Sequence, residues 1–210
     1  GVDSIECYVD EYLAIPGLIK EILIGECDEY IDAYIIACFG DPGLQAAREL
    51  TSKPVLGIAE SAIAAAKMIA PNFSIISVLD RSIKVTEDVV KNYGAKDFCR
   101  SIRSTGLSVL EFGRNPQEGL SAIKKQCRLA LDEDGAECLL LGCAGFVGFV
   151  EDMTKEFSVP VLDGVMPAVK FAEALVGMGL KTSKVNTWKY PEKKEYTGFD
   201  FPDIDNLTKE

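Results

Sequence analysis

Histidine is absent from all 210 residues. That excludes Ser-His-Asp triads, histidine-ligated zinc and imidazole general bases, so any proton transfer falls to Cys, Asp, Glu, Lys or Tyr. Basic residues are scarce: 22 Lys and Arg stand against 33 Asp and Glu, a net charge of −11. Nucleic acid and anionic membrane both select basic surface, so neither is expected as a partner. No apolar run approaches the roughly 20 residues that span a bilayer, and the chain does not open on a basic, then apolar, then small-residue pattern. The seven cysteines (7, 27, 38, 99, 127, 138, 143) contain no CxxC pair and form an odd set. A secreted disulfide framework is disfavoured, and a reduced, cytoplasmic protein is expected.

What is present is ordinary globular chemistry, 48% hydrophobic and 26% charged, in a chain long enough for an ample core. The chain is organised around residues 136–157, AECLLLGCAGFVGFVEDMTKEF. Cys138 to Leu141 reads as a buried strand that runs through Gly142-Cys143-Ala144-Gly145 into a helix, the pattern of a parallel sheet with a crossover helix. Cys143 then stands at the carboxyl end of a strand and the amino end of a helix. Open α/β sheets bind ligands at that edge, and the helix dipole there favours thiolate.

A second copy lies upstream. DAYIIACFGDPGLQAAREL (32–50) gives an apolar strand from Tyr34 to Ala37, then Cys38, then a helix opened by Asp41 as N-cap and Pro42 at its first position. The match continues: KPVLGIAESAIAAAKMI from Lys53 aligns with VPVLDGVMPAVKFAEAL from Val159. The cysteines are offset by 105 residues and Pro54 and Pro160 by 106. Four consecutive elements in register predict an α/β protein of two pseudo-symmetric lobes, each a parallel sheet flanked by helices, with an active-site cleft between them.

The remaining elements follow from periodicity. Ser4 to Tyr8 reads as a strand, Pro16 to Tyr30 as an amphipathic helix, Val55 to Ile58 as strand and Ser61 to Ile69 as helix. Phe73 to Leu79 is a clear strand, Asp80-Arg81-Ser82 a loop, and Val85 to Tyr93 a helix. Residues 94 to 106 read as a connector, Leu107 to Phe112 as a strand, and Asn115-Pro116 as the start of a long helix. Lobe one is expected at 1–72, lobe two at 73–179 and a polar, aromatic-bearing arm at 180–210. By the 105-residue offset lobe one lacks a counterpart to the strand and helix that open lobe two, so the chain is expected to lack an opening βα unit.

Two cysteines at matching strand ends would face each other across the cleft. One thiolate could remove a proton from carbon while the opposite thiol returns one to the other face, inverting a stereocentre. A helix N-terminus would lower an ordinary thiol pKa of about 8.5 toward neutrality. Small residues after each cysteine would bring backbone N–H groups to an enolate-like intermediate. Cys7, Cys27, Cys99, Cys127 and Cys138 are expected to pack as small hydrophobes.

ACFGDPGL around Cys38 and LLLGCAG around Cys143 resemble the aspartate/glutamate/hydantoin racemase superfamily, in its hydantoin and allantoin racemase branch. The resemblance spans nearly the whole chain, including VLGIAESA at Val55, LDRS at Leu79 and VPVLDGV at Val159. It implies a cofactor-independent racemase using two cysteines, without pyridoxal phosphate or metal, that takes a small-molecule substrate and forms a homo-oligomer. Cys38 and Cys143 match the acid/base pair. Phe39 and Gly40, with Ala144 and Gly145, match the backbone-donor turns, and Ser77 falls where the family places a substrate-binding hydroxyl. Glu60, in the GI-x-E segment, reads equally as a ligand and as a helix-start carboxylate; Asp41 reads as an N-cap and Arg81 as a surface residue. The family's amino-acid racemases follow their cysteines with Asn-Thr and Thr-Glu, whereas Phe39-Gly40 and Ala144-Gly145 stand here, which favours a neutral cyclic ureide. Members also open with a PNTS-like segment that is not found in this sequence. The competing readings are an amino-acid racemase or decarboxylase of the same superfamily, and a ligand-binding protein without turnover.

Overall fold

The computed structural model describes residues 1–199 and 201. Among them the order is α1 (Tyr8–Gly25), β1 (Tyr34–Ile36), α2 (Leu44–Leu50), β2 (Val55–Gly57), α3 (Ile58–Ile69), β3 (Phe73–Ser77), α4 (Asp80–Asn92) and β4 (Cys99–Ser104). There follow α5 (Val109–Arg114), α6 (Pro116–Asp132), β5 (Leu139–Leu141), α7 (Val150–Phe157), β6 (Val161–Leu162) and α8 (Val165–Gly177). Strands β1 and β2 form one parallel sheet; β4-β3-β5-β6 form a second, also parallel. Buried apolar strands between helices are what a parallel sheet demands, and β3 and β5 are buried along their whole length. No helix among the described residues is long and apolar enough to cross a membrane.

The internal repeat is written into the strand register. Tyr34 pairs with Val55 in one sheet and Leu139 with Val161 in the other, positions related by the same offsets as the cysteines and prolines. The helices after the second strand of each copy, α3 and α8, pack against each other. One apolar cluster holds residues of both copies, from Ile58, Ala62 and Ala66 on α3 through Ile75 and Leu140 to Ala168 and Ala172 on α8. A second cluster under α6 and α7 and a third between α1, α2 and the first sheet complete the interior.

Several local expectations are corrected. Ser4 to Tyr8 is not a strand: among the described residues no neighbour offers its N–H and C=O groups a ladder, and Asp10 instead accepts the Glu6 amide at 3.0 Å as α1 begins. That helix carries Pro16 in its interior and stops at Gly25, five residues short of the expected end. The residue four before Pro16, Tyr12, is exposed, so water can serve the carbonyl that loses its partner. The connector at 94–106 holds strand β4, whereas Leu107 to Phe112 turns through Ser108 into α5. An edge strand needs little apolar surface, and polar β4 is secured by Arg103 and Ser101, both bonded to Asp134 at 2.5 Å. Ser108 and Glu111 form a capping box, a local signal that outweighs the apolar residues around it. Helix α4 begins at Asp80, so the expected Asp80-Arg81-Ser82 loop is its first turn.

The polar arm returns to the body. Thr182 donates from its amide to Ser52 and from its hydroxyl to Lys53, and Trp188 Nε1 donates to Gln45 Oε1 at 2.9 Å. The Arg48 guanidinium stacks over the Trp188 ring at 5.1 Å. Residues 200 and 202–210 of the arm lie outside the described residues.

Candidate functional site

Parallel strands deliver their carboxyl ends to one edge. Cys38 lies two residues past β1, Ser77 closes β3, and Cys143 lies two residues past β5. These ends border a cavity of about 190 Å³ between the two sheets, with Cys38 and Cys143 both in its wall.

Both cysteines start the same turn. The Asp41 amide donates to the Cys38 carbonyl at 3.0 Å, and the Phe146 amide to the Cys143 carbonyl at 3.0 Å. A glycine follows two residues on in each: Gly145 donates its N–H to Cys143 Sγ at 3.3 Å, and the backbone of Gly40 lies near enough to Cys38 to lower its pKa. A 3-10 helix, Ala144–Phe149, precedes α7, so the expected helix after Cys143 begins as a tighter turn.

The expected depression of the thiol pKa is reversed. Burial pushes the Cys38 thiol up to about 12, and the carboxylates of Glu11 and Asp41 and the thiolate form of Cys143 add to that. Burial also raises Cys143, with Glu6 adding to it. Desolvation of a thiolate in this wall outweighs the lowering influence of the neighbouring glycine backbone on each sulfur.

Phe39, Gly40, Ser77, Ala144 and Gly145 all lie in the same wall as the two cysteines. Glu60 does not. It opens α3 and pairs with Arg48 at 2.5 Å, lining a separate groove with Trp188. The Arg48 guanidinium holds the carboxylate there, outside the residues that line the cavity of the two cysteines. Asp41 is not the cap of α2 either. That helix starts at Leu44 behind a left-handed Gly43, and Asp41 itself is left-handed (φ 46°). Its carboxylate crosses to α3, where Ala59 and Glu60 donate their amides at 3.1 and 2.8 Å. Among the other cysteines, Cys127 and Cys138 are buried as expected, but Cys27 is exposed and Cys7 reaches the cleft.

Sequence reasoning missed the acidic side of the cavity. Glu6 and Glu11 line it, with Glu6 Oε1 accepting the Val109 amide at 2.8 Å. Glu11 folds over Gly40 so closely that a β-carbon there would collide with its carboxylate. Burial raises the Glu11 pKa and Asp41 adds to it. The sequence signal for Glu11 is only its place in an acidic helix start, brought to the cleft by the packing of α1 on α2, whereas Glu6, ahead of that helix, is held by the Val109 amide and the Ser82 hydroxyl. Among the described residues, no group of three or more Cys, Asp or Glu is arranged to hold a metal ion.

Comparison with known proteins identifies the family and fold. Residues 1–172 match the family described as Asp/Glu/Hydantoin racemase. A hydantoin racemase of Pseudomonas sp. (strain NS671) is 52% identical over 198 residues, covering 94% of this chain and 79% of that protein. The solved allantoin racemase from Klebsiella pneumoniae superposes with a TM-score of 0.91 at 40% identity, covering 94% of this chain and 80% of that one. The allantoin racemase of Pseudomonas fluorescens superposes at 0.89 with 37% identity, covering 94% and 83%.

Proposed function

The chain belongs to the Asp/Glu/Hydantoin racemase family, and from that premise we propose that it inverts the stereocentre of a cyclic ureide, a 5-substituted hydantoin or allantoin. It is an isomerase that uses Cys38 and Cys143 as its two acid/base groups. The observation that carries the reading is the pair of matched turns that set both sulfurs in one cavity wall, each beside a glycine amide.

In the forward direction the Cys38 thiolate takes the proton from the ring carbon, forming S–H and leaving the electron pair on the enolate. The Cys143 thiol then gives its proton to the opposite face and becomes the thiolate. The other enantiomer runs the same steps in reverse. One sulfur must be protonated while the other is not, and burial that favours the neutral thiol suits the acid partner. Backbone amides in the two turns and the Ser77 hydroxyl serve the developing oxyanion and the ring carbonyls. The acidic wall of Glu6 and Glu11 supports a neutral ring with N–H donors over an amino acid bearing its own carboxylate.

We read residues 1–72 and 73–179 as the two lobes and 180–210 as an arm, in a homo-oligomer of the cytoplasm. Seven free cysteines support a reduced compartment, and exposed Met68, Met178 and Leu180 around the groove between α3 and α8 support self-association.

The test is exchange of the ring-carbon hydrogen in heavy water by Cys38→Ser and Cys143→Ser. Each variant should lose inversion and retain exchange from one enantiomer only, opposite for the two. Full racemisation by either variant sinks the two-thiol scheme.

A further inference from the structure

The turns at the two cysteines are alike in backbone but not in what holds them. Position 146, equivalent to position 41 by the 105-residue offset, carries Phe146, a fully buried ring set against Phe112 with centroids 4.5 Å apart. Apolar packing fixes the Cys143 turn. Position 41 carries a carboxylate that is only 7% exposed. A buried carboxylate is a costly way to fill space, and Phe146 demonstrates that packing serves the same turn elsewhere in this fold.

Asp41 is also the residue of its turn with unfavourable backbone geometry, at φ 46°. Such a conformation in a non-glycine residue persists only where its surroundings over-determine it. They do so here from three elements. Its amide donates to the Cys38 carbonyl, the Ala59 and Glu60 amides of α3 donate to its two oxygens, and Tyr93 Oη at the end of α4 donates to Oδ2 at 2.6 Å. Gly57 keeps the space open, because a β-carbon at that residue would collide with the carboxylate.

We propose that Asp41, braced by Tyr93 and the first turn of α3, is a positioning residue for Cys38 alone, holding the turn that sets the Gly40 backbone near Cys38. It touches no reacting atom. It acts by tying one catalytic turn to two helices, and among the described residues Cys143 has no such tie. The proposal rests on the two-thiol reading.

The test isolates each sulfur. In the Cys143→Ser background Cys38 is the sole base, and Asp41→Asn should slow hydrogen exchange from the enantiomer it serves by at least about tenfold, with Tyr93→Phe slowing it severalfold. In the Cys38→Ser background the same two substitutions should change exchange from the other enantiomer by less than about twofold. Tyr93→Phe removes one hydroxyl and serves as the informative variant if Asp41→Asn unfolds. Equal losses in both backgrounds, or no loss in the Cys143→Ser background, overturns the positioning role while leaving the two-thiol scheme intact. Full racemisation by the single cysteine variants overturns that scheme and this proposal with it.

Discussion

Gly164 lies against the carbonyl of Ile58 with no room for a β-carbon between them, where α8 starts across the start of α3. Gly164 is also left-handed, at φ 82°. Replacing it with alanine imposes both a backbone penalty and a collision with main chain that has no rotamer to escape into. Gly164→Ala should destabilise the fold by at least about 2 kcal/mol. Urea unfolding followed by circular dichroism measures this, and a variant within about 0.5 kcal/mol of the parent would contradict the close approach.

Reactivity of Cys38 should climb with pH. Its thiol is pushed up to about 12 by burial, so the thiolate fraction grows about tenfold per pH unit across pH 7 to 9. Peptide mapping after timed iodoacetamide treatment of the free enzyme should give a log-linear rise at Cys38 over that range. A plateau below pH 8 would mean that the thiol is activated after all.

Glu11 sits over the Cys38 turn, and its charge raises that thiol. Removing a negative charge beside a thiol lowers its pKa. Glu11→Gln should therefore speed alkylation of Cys38 at pH 8 by about two- to fivefold, the effect of a change of a few tenths to under one unit in pKa. Unchanged or slower alkylation would show that the carboxylate does not act on this sulfur.

Asp41 makes a stability prediction independent of catalysis. Burial raises its carboxyl to about 6 in the folded chain, above the ordinary Asp value of about 3.9. The folded state therefore binds this proton more tightly than the unfolded state. The stability it contributes is fully present below about pH 4 and is lost as pH rises through 6. Relative to Asp41→Asn, the parent should lose on the order of 3 kcal/mol between pH 4 and 7. Denaturant midpoints across that range test it; a difference that is flat, or that grows in the parent's favour, contradicts the buried, strained placement.

Much of the fold was legible because the repeat is a pattern of local signals. Short apolar runs ended by small residues marked β1, β3 and β5, and the 105-residue offset carried over to the pairing of Tyr34 with Val55 and Leu139 with Val161. Cys38, Cys143, Ser77 and the four residues after the cysteines could be placed in one cleft because parallel strands share a carboxyl edge. Where periodicity failed, partners outside the segment decided. Residues 99–104 are a strand because β3 lies beside them, and 107–112 are not because Ser108 and Glu111 satisfy each other. Glu60 is absent from the cleft because Arg48 holds it elsewhere.

The sequence by itself determined the chemistry at hand: no imidazole, an acidic surface, and two cysteines at matching strand ends of a repeated unit. Those are properties of residue identity and spacing, and they survive any detail of packing. Tertiary structure alone decided the state of those thiols, the acidic wall opposite them and the different bracing of their turns. A pKa depends on burial and on charges brought near through space: Tyr93 and Glu11 approach the Cys38 turn from the end of α4 and from α1, and Glu6 acts on Cys143 from the segment before α1. No local pattern around either cysteine records their arrival.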